Sequence, residues 1–378
     1  MIPCCARHNC TDAHFVIRAQ FPPSLLHLNQ RDSTSPEFHW PTKQSPTLFT
    51  SAPENHGRDV EFHSNSNYPA SLNPQNITKQ QIVFREASAN ASEIPNLTSI
   101  SAPANFKAPK PKPFSVRPDK IFDILGASLA LISPLSTSVL VSGYSVTVVP
   151  VNEFPSDQYA LGFAGYKFKE TSKIGPRPEK PIEIYEFESC PFCRKVREIV
   201  SVLDLDVLYY PCPRNGPNFR PKVSQMGGKP QFPYMVDPNT GVSTYESDDI
   251  IKYLVWEYGD GNVPLLLSLG LFTTLMEGLA MIGRMGKGSS YTPSKLPAKP
   301  LEIWAYEASP FCKVVREVLV ELELPHILHS CARGSPKRNL LYQRVGHFQV
   351  PYLEDPNTGI QMFESADIVD YLRATYAL

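Results

Sequence analysis
The sequence predicts an α/β protein: two tandem β-α-β-α-β-β-α units behind a long disordered leader. Three observations carry this. A ten-residue phrase occurs twice, as Glu188-Ser-Cys-Pro-Phe-Cys-Arg-Lys-Val-Arg197 and Glu307-Ala-Ser-Pro-Phe-Cys-Lys-Val-Val-Arg316, offset by 119 residues (309 − 190). Each copy follows a short β-like run and opens a stretch of helical period. The 38 prolines crowd the first 180 residues and the linkers, which marks the front of the chain as extended. Duplication of this length sets the domain count before any single residue is read.

Bulk properties narrow the class. A chain of 378 residues with 42% apolar content has room for two or three cored domains. Its net charge of −1 points to neither nucleic acid nor an anionic surface. Eight cysteines are too few for a disulfide scaffold at this length. Cys4, Cys5 and Cys10 sit in the polar leader, and Cys190, Cys193, Cys212, Cys312 and Cys331 all fall inside the repeats. That distribution reads as thiol chemistry in a reducing compartment.

Taken in order, residues 1–115 are rich in Ser, Thr, Asn and Pro, mildly basic at the start, and without an apolar period. They are expected to be a transit peptide with a disordered spacer, which places the protein in an organelle, the chloroplast first. A cytosolic disordered tail is the alternative. Sequons at Asn76, Asn90 and Asn96 are taken as chance, because no secretory apolar core precedes them. Phe106–Lys120 is basic and proline-rich, an extended hinge. Residues 116–179 hold an uncharged stretch, Ile124–Asn152, long enough for a membrane span. Pro134 and its many serines favour instead a packed helix and an extended segment lying on the first domain.

The first domain is expected at 180–259. Ile182–Phe187 is a strand, Pro191–Leu205 a helix with Val196, Ile199, Val200 and Leu203 on one face, and Val207–Tyr210 a second strand. A short helix precedes Gly227. Phe232–Val236 and Ser243–Tyr245 form a hairpin about Asp237-Pro-Asn-Thr-Gly241, and Ser247–Tyr258 closes as a helix. Residues 260–299 form a linker whose apolar run from Pro264 to Phe272 is expected as a helix buried between the domains. The second domain, 300–378, repeats the first almost element by element. This order of elements is the thioredoxin-like unit.

The chemistry follows from the position of Cys190. At a helix N-terminus, unpaired N–H groups and the macrodipole favour a thiolate, and Arg194 and Lys195 are expected to reinforce it. Pro191 suits the first helical position. Cys193, one turn on, is placed to resolve a mixed disulfide on Cys190. Isolated cysteines would read as small core residues; a C-x-x-C that follows a strand and opens a helix reads as redox-active. A zinc site is disfavoured, since Ser309 breaks the second pair, and no metal is expected.

With these residues in view, Cys190-Pro-Phe-Cys193, Gln231-Phe-Pro-Tyr234 and Tyr245-Glu-Ser-Asp248 together resemble glutaredoxins and the N-terminal domain of glutathione S-transferases. More widely, the arrangement resembles plant chloroplast proteins of tandem thioredoxin-like repeats. The resemblance implies a glutathione site shaped by Phe192, Phe232, Pro233, Glu246 and Ser247. In it Pro233 is cis, the backbone of Phe232 pairs with glutathione, and Glu246 and Ser247 hold the γ-glutamyl group. The second-repeat equivalents are Ser309, Cys312, Val350, Pro351, Glu364 and Ser365. Each Glu-Ser pair also reads as a plain helix cap with Ser as N-cap.

The function expected is a glutathione-linked thiol–disulfide oxidoreductase, with Cys190 as nucleophile and glutathione or a disulfide-bearing protein as partner. Nucleic acid is not expected, and membrane contact is not favoured. The forty-residue gap after Gly259 cannot hold the helical domain of a transferase. Two alternatives stay open: a non-catalytic glutathione- or protein-binding module, and a glutathione-dependent transferase or isomerase. The latter rests on a prostaglandin synthase that shares Cys-Pro-Phe-Cys, and it requires an apolar cleft beside Cys190 lined by Leu265–Met276. Ser309 confines exchange chemistry to the first repeat.

Overall fold
The computed structural model describes residues 16–18, 100–112, 115–132 and 137–378. Most of the expected transit peptide and spacer lies outside them, with Cys4, Cys5, Cys10 and the three sequons. Ahead of the first unit come β1 (Val16–Arg18), α1 (Ile121–Ile132), β2 (Ser145–Pro150), β3 (Leu161–Phe163) and β4 (Tyr166–Thr171). The four strands form a small sheet in the order β1-β2-β4-β3.

The first unit is β5 (Ile182–Glu186), α2 (Pro191–Val202), β6 (Asp206–Pro211), α3 (Phe219–Gly227), β7 (Tyr234–Val236), β8 (Ser243–Thr244) and α4 (Ser247–Tyr258). Helix α5 (Leu271–Met281) intervenes. The second is β9 (Leu301–Ala305), α6 (Pro310–Glu321), β10 (His326–Ser330), α7 (Lys337–Val345), β11 (Tyr352–Asp355), β12 (Ile360–Met362) and α8 (Ser365–Tyr376). Both are thioredoxin-like, as the element order predicts.

The units do not stand apart. They share one eight-stranded sheet, β12-β11-β9-β10-β6-β5-β7-β8, closed across its middle by antiparallel pairing of β6 with β10. Leu208 pairs with Ile327, its own repeat equivalent, while Val207 pairs with Leu328 and Tyr209 with His326. The repeats therefore meet about a pseudo-two-fold axis, as two copies do in an isologous dimer. Pairing also removes two sheet edges that would otherwise invite other chains.

Alternation along the strands sorts side chains to two faces. Ile182 and Ile184 join one core continuous across both repeats, with Ile199, Leu254, Leu319 and Leu372. Tyr185 points the other way, into a smaller cluster with Cys212, Val223 and Tyr234. Trp304, Cys331, Leu341 and Tyr352 do the same in the second repeat. The turn sequences anchor the last helices. Asp237 accepts from Tyr253 and Tyr258 at 2.6 and 2.5 Å, and Asp355 from Tyr371 and Tyr376 at 2.6 and 2.7 Å.

Three expectations change. Helix α1 packs on α6 of the second repeat, not on the first domain. The run Pro264–Phe272, expected as one buried helix, is a single turn at Leu265–Leu267 and the start of α5, which packs on α2 and α1 but leaves Leu271, Phe272 and Leu275 exposed. Residues 100–112, expected within the disordered spacer, lie against the second repeat. There Ile100, Ala102 and Phe106 pack on the core, as does Val116 just beyond, and Phe106 meets Tyr371 at 5.0 Å between ring centroids. A few apolar residues in a polar stretch sufficed to dock it. No helix among the described residues is long and apolar enough to cross a membrane.

Candidate active site
Cys190 is the N-cap of α2, and its Sγ accepts the Cys193 N–H at 3.3 Å. Pro191 follows at the first helical position. The bond with Cys193 and its N–H hold the Cys190 thiol below its ordinary value, against the burial that pushes it up. Burial, and then the Cys190 thiolate, push Cys193 well above. The two sulfurs are thus split into an anionic acceptor at the helix end and a protonated partner inside it. Both are buried, at 5% and 1% exposure, while Phe192 between them is exposed.

The expected cationic support is different. Arg194 turns into the interior to pair with Glu277 at 2.8 Å, and Lys195 bonds Asp248 at the start of α4. Arg197 supplies positive charge near Cys190, and buried Glu186 opposes it. One helical turn separates Arg194 from Arg197's face, and the interior carboxylates decide which way each points.

Those carboxylates form a cluster across the pseudo-two-fold axis. Glu188 lies two residues before Cys190 and Glu307 two before Ser309. Glu188 accepts from Lys313 at 2.8 Å and Arg316 at 3.2 Å in the other repeat, and Glu307 accepts from Arg197 at 2.9 Å. Arg316 also pairs with Glu307 at 2.8 Å, and Arg197 bonds Glu186. Every one of these side chains is buried. Buried charges persist only when paired, so each repeat completes the other's helix-entry loop. Glu186, the least compensated, is pushed up to about 7 by burial despite Arg197.

The remaining expected site residues have these local settings. The Phe232–Pro233 and Val350–Pro351 peptides are both cis. Glu246 is exposed and bonded by Gln231, ahead of buried Ser247. Ser247 is the first residue of α4 and Glu246 its N-cap, without a side-chain cap bond, so the plain Ser-cap reading fails. Glu246 and Glu364 both adopt positive φ, 60° and 73°, a conformation costly for a side-chain-bearing residue. Both repeats hold this conformation at the same position, directly before the last helix.

Arg220 was not anticipated. Its Nε donates to the carbonyls of Cys212 and Pro213, and its guanidinium lies 4.7 Å from the Phe232 ring and 5.4 Å from that of Phe187. Arg338 does the same in the second repeat, donating to Cys331 and Ala332. The signal was an arginine seven or eight residues after each strand-ending cysteine.

The second repeat keeps the frame with altered chemistry. Ser309 caps α6 as Cys190 caps α2, its Oγ accepting the Cys312 N–H at 3.3 Å. Serine is a good N-cap, so the thiol was lost without loss of the turn. Cys312 is buried and pushed up by that burial. All five cysteines among the described residues are free, Cys312 and Cys331 included. Here Glu364 is half-buried under the chain's own strap. Its Oε1 accepts from the Lys112 main-chain N–H at 2.6 Å and from Gln349 at 2.9 Å. Arg117 clips the strap to Asp367 and Asp370 at 3.2 and 2.7 Å. A cavity of about 140 Å³ remains beneath it, lined in part by Phe311, Glu364 and Ser365. Leu265, Leu271, Phe272 and Leu275 are exposed on the outer surface, and so do not form the apolar cleft that an isomerase reading requires. No group of His, Cys, Asp and Glu suited to a metal occurs among the described residues.

Residues 184–262 and 304–378 each match the family model for the glutathione S-transferase N-terminal domain. A solved glutathione transferase from Bombyx mori is 32% identical over 22% of this chain and 39% of its own, with a TM-score of 0.21. The chain thus spans well under half of that transferase. No curated protein matches. The chain carries two tandem thioredoxin-like domains, each similar to the N-terminal domain of glutathione S-transferases.

Proposed function
We propose that the first repeat is a glutathione-linked thiol–disulfide oxidoreductase. The observation that carries this reading is the split pair at the start of α2: Cys190 held toward thiolate by the Cys193 N–H, Cys193 held protonated by burial. The Cys190 thiolate attacks the glutathionyl sulfur of a mixed disulfide, and the substrate's sulfur leaves as a thiolate that takes a proton. Cys190 is then disulfide-bonded to glutathione. Cys193, giving up its proton, attacks Cys190 Sγ and expels glutathione, leaving an internal disulfide that two further glutathione thiols reduce as they become oxidised glutathione. Glu246 and the N-terminus of α4 support docking of the γ-glutamyl ammonium and carboxylate.

The open Glu246 and the strapped Glu364 support one working site per chain. The test is reduction of a glutathionylated peptide. Cys190→Ser should abolish it, and Cys193→Ser should retain part, because external glutathione replaces the resolving thiol. Equal rates for the unaltered protein and Cys190→Ser would sink the proposal. Burial of Cys190 favours a second reading, binding without turnover; there, oxidised glutathione would leave no adduct on Cys190 by mass spectrometry.

A further inference from the structure
Helices α1 and α5 lie side by side against the rest of the fold, and their outer faces carry a contiguous apolar surface. Phe122 is 86% exposed, Leu271 78% and Met285 89%, with Leu125, Leu275 and Ile282 between them also exposed. Helix α1 packs on α5 and on the short turn Ile282–Arg284 that follows it, where a Cβ at Gly126 would sit 2.8 Å from the Gly283 carbonyl oxygen. The patch is therefore one surface and not two. The sole ionisable side chain of α5, Glu277, is fully buried against Arg194, so this helix presents no charge outward.

Scattered apolar residues on a surface need no explanation, but a continuous patch does. The six side chains are 58–89% exposed, so this face amounts to very roughly 700–900 Å², near the ~800 Å² each partner contributes to a standard interface. A lipid surface would call for a collar of lysine and arginine. The nearby cations are already engaged: Lys287 with Asp123, and Arg284 with Glu317. The patch has a further property. Helix α1 precedes the first repeat but packs on α6 of the second, and α5 precedes the second but packs on α2 of the first. It thus straddles the pseudo-two-fold axis. An apolar face is complementary to itself, which is what isologous pairing requires.

We propose that the α1/α5 face is a homodimer interface, its occupant the same face of a second copy of this chain. The inference stands apart from the thiol chemistry. Sedimentation velocity on the full chain, over a broad concentration range, should show a monomer–dimer equilibrium. Leu271→Glu with Leu275→Glu should raise the dissociation constant by at least about tenfold. Leu125→Gln, on the other helix, should weaken it in the same direction. All three positions are exposed, so circular dichroism and alkylation of Cys190 should not change. A protein monomeric throughout overturns the proposal, as do variants that dimerise as before. Flotation with neutral phosphatidylcholine vesicles that the variants lose also overturns it, because lipid is then the occupant.

Discussion
Arg197→Met tests the charge cluster that joins the repeats. Arg197 meets Glu186, Glu188 and Glu307, all buried. Removing one partner of a buried ion pair costs about 3–5 kcal/mol, against a total stability of about 5–15 kcal/mol for a typical domain. The variant should therefore fold with much reduced stability, read by urea denaturation. The sign of its pH dependence follows from Glu186. Already pushed up to about 7, it rises further without the cation and stays protonated near neutrality. The loss relative to the unaltered protein should be smaller at mildly acidic pH and grow as pH rises through neutrality. Arg316→Met breaks the reciprocal pairs and should destabilise comparably. Near neutrality Arg197→Met should leave the Cys190 pKa little changed, because the cation that lowers it and the Glu186 charge that raises it are lost together. The pH dependence of Cys190 alkylation reads this, and Arg197→Lys should restore part of the stability if Arg197→Met fails to fold. A loss under about 1 kcal/mol, equal at acidic and alkaline pH, would refute the paired cluster.

Two further outcomes follow from the same interior and from the strap. Arg117→Ala removes two partly exposed pairs worth about 0.2–1 kcal/mol each, so the strap should open roughly 2–30 times more often. Hydrogen exchange at the Lys112 amide should speed up by that factor, and an amide unprotected in the unaltered protein would refute the clip. Glu277 is raised by burial from 4.5 to about 8, so its neutral form favours folding. That contribution is complete below the unfolded carboxyl range and is lost as pH rises toward 8. Glu277→Gln should make stability fall less steeply across this window, and an unchanged pH profile would count against the assignment.

Local signals settled a great deal in advance. The capping cysteine, Pro191, the helical spacing of Val196, Ile199 and Leu203, and the Asp-Pro-Asn-Thr-Gly turns each act within a few residues, so they stand in the sequence as readable patterns. Duplication made every element legible twice and isolated Ser309 as the one missing thiol. The grouping of Pro233, Glu246 and Ser247 with Cys190 is an expectation from resemblance and not from spacing, since more than forty residues separate them from Cys190.

Tertiary structure alone decided the rest, because it depends on contacts between distant segments. Arg194 and Arg197 are equivalent as sequence, each a cation on the first turns of α2. Buried carboxylates from the other repeat and from α5 turn one away from the thiol and bring the other near it. The polar stretch around Phe106 carries no period of its own, yet a few apolar side chains and Arg117 lay it over Glu364. The sequence shows two repeats but not how they meet. Pairing of β6 with β10 makes them one sheet, and each helix-entry loop is completed by charges of the other repeat.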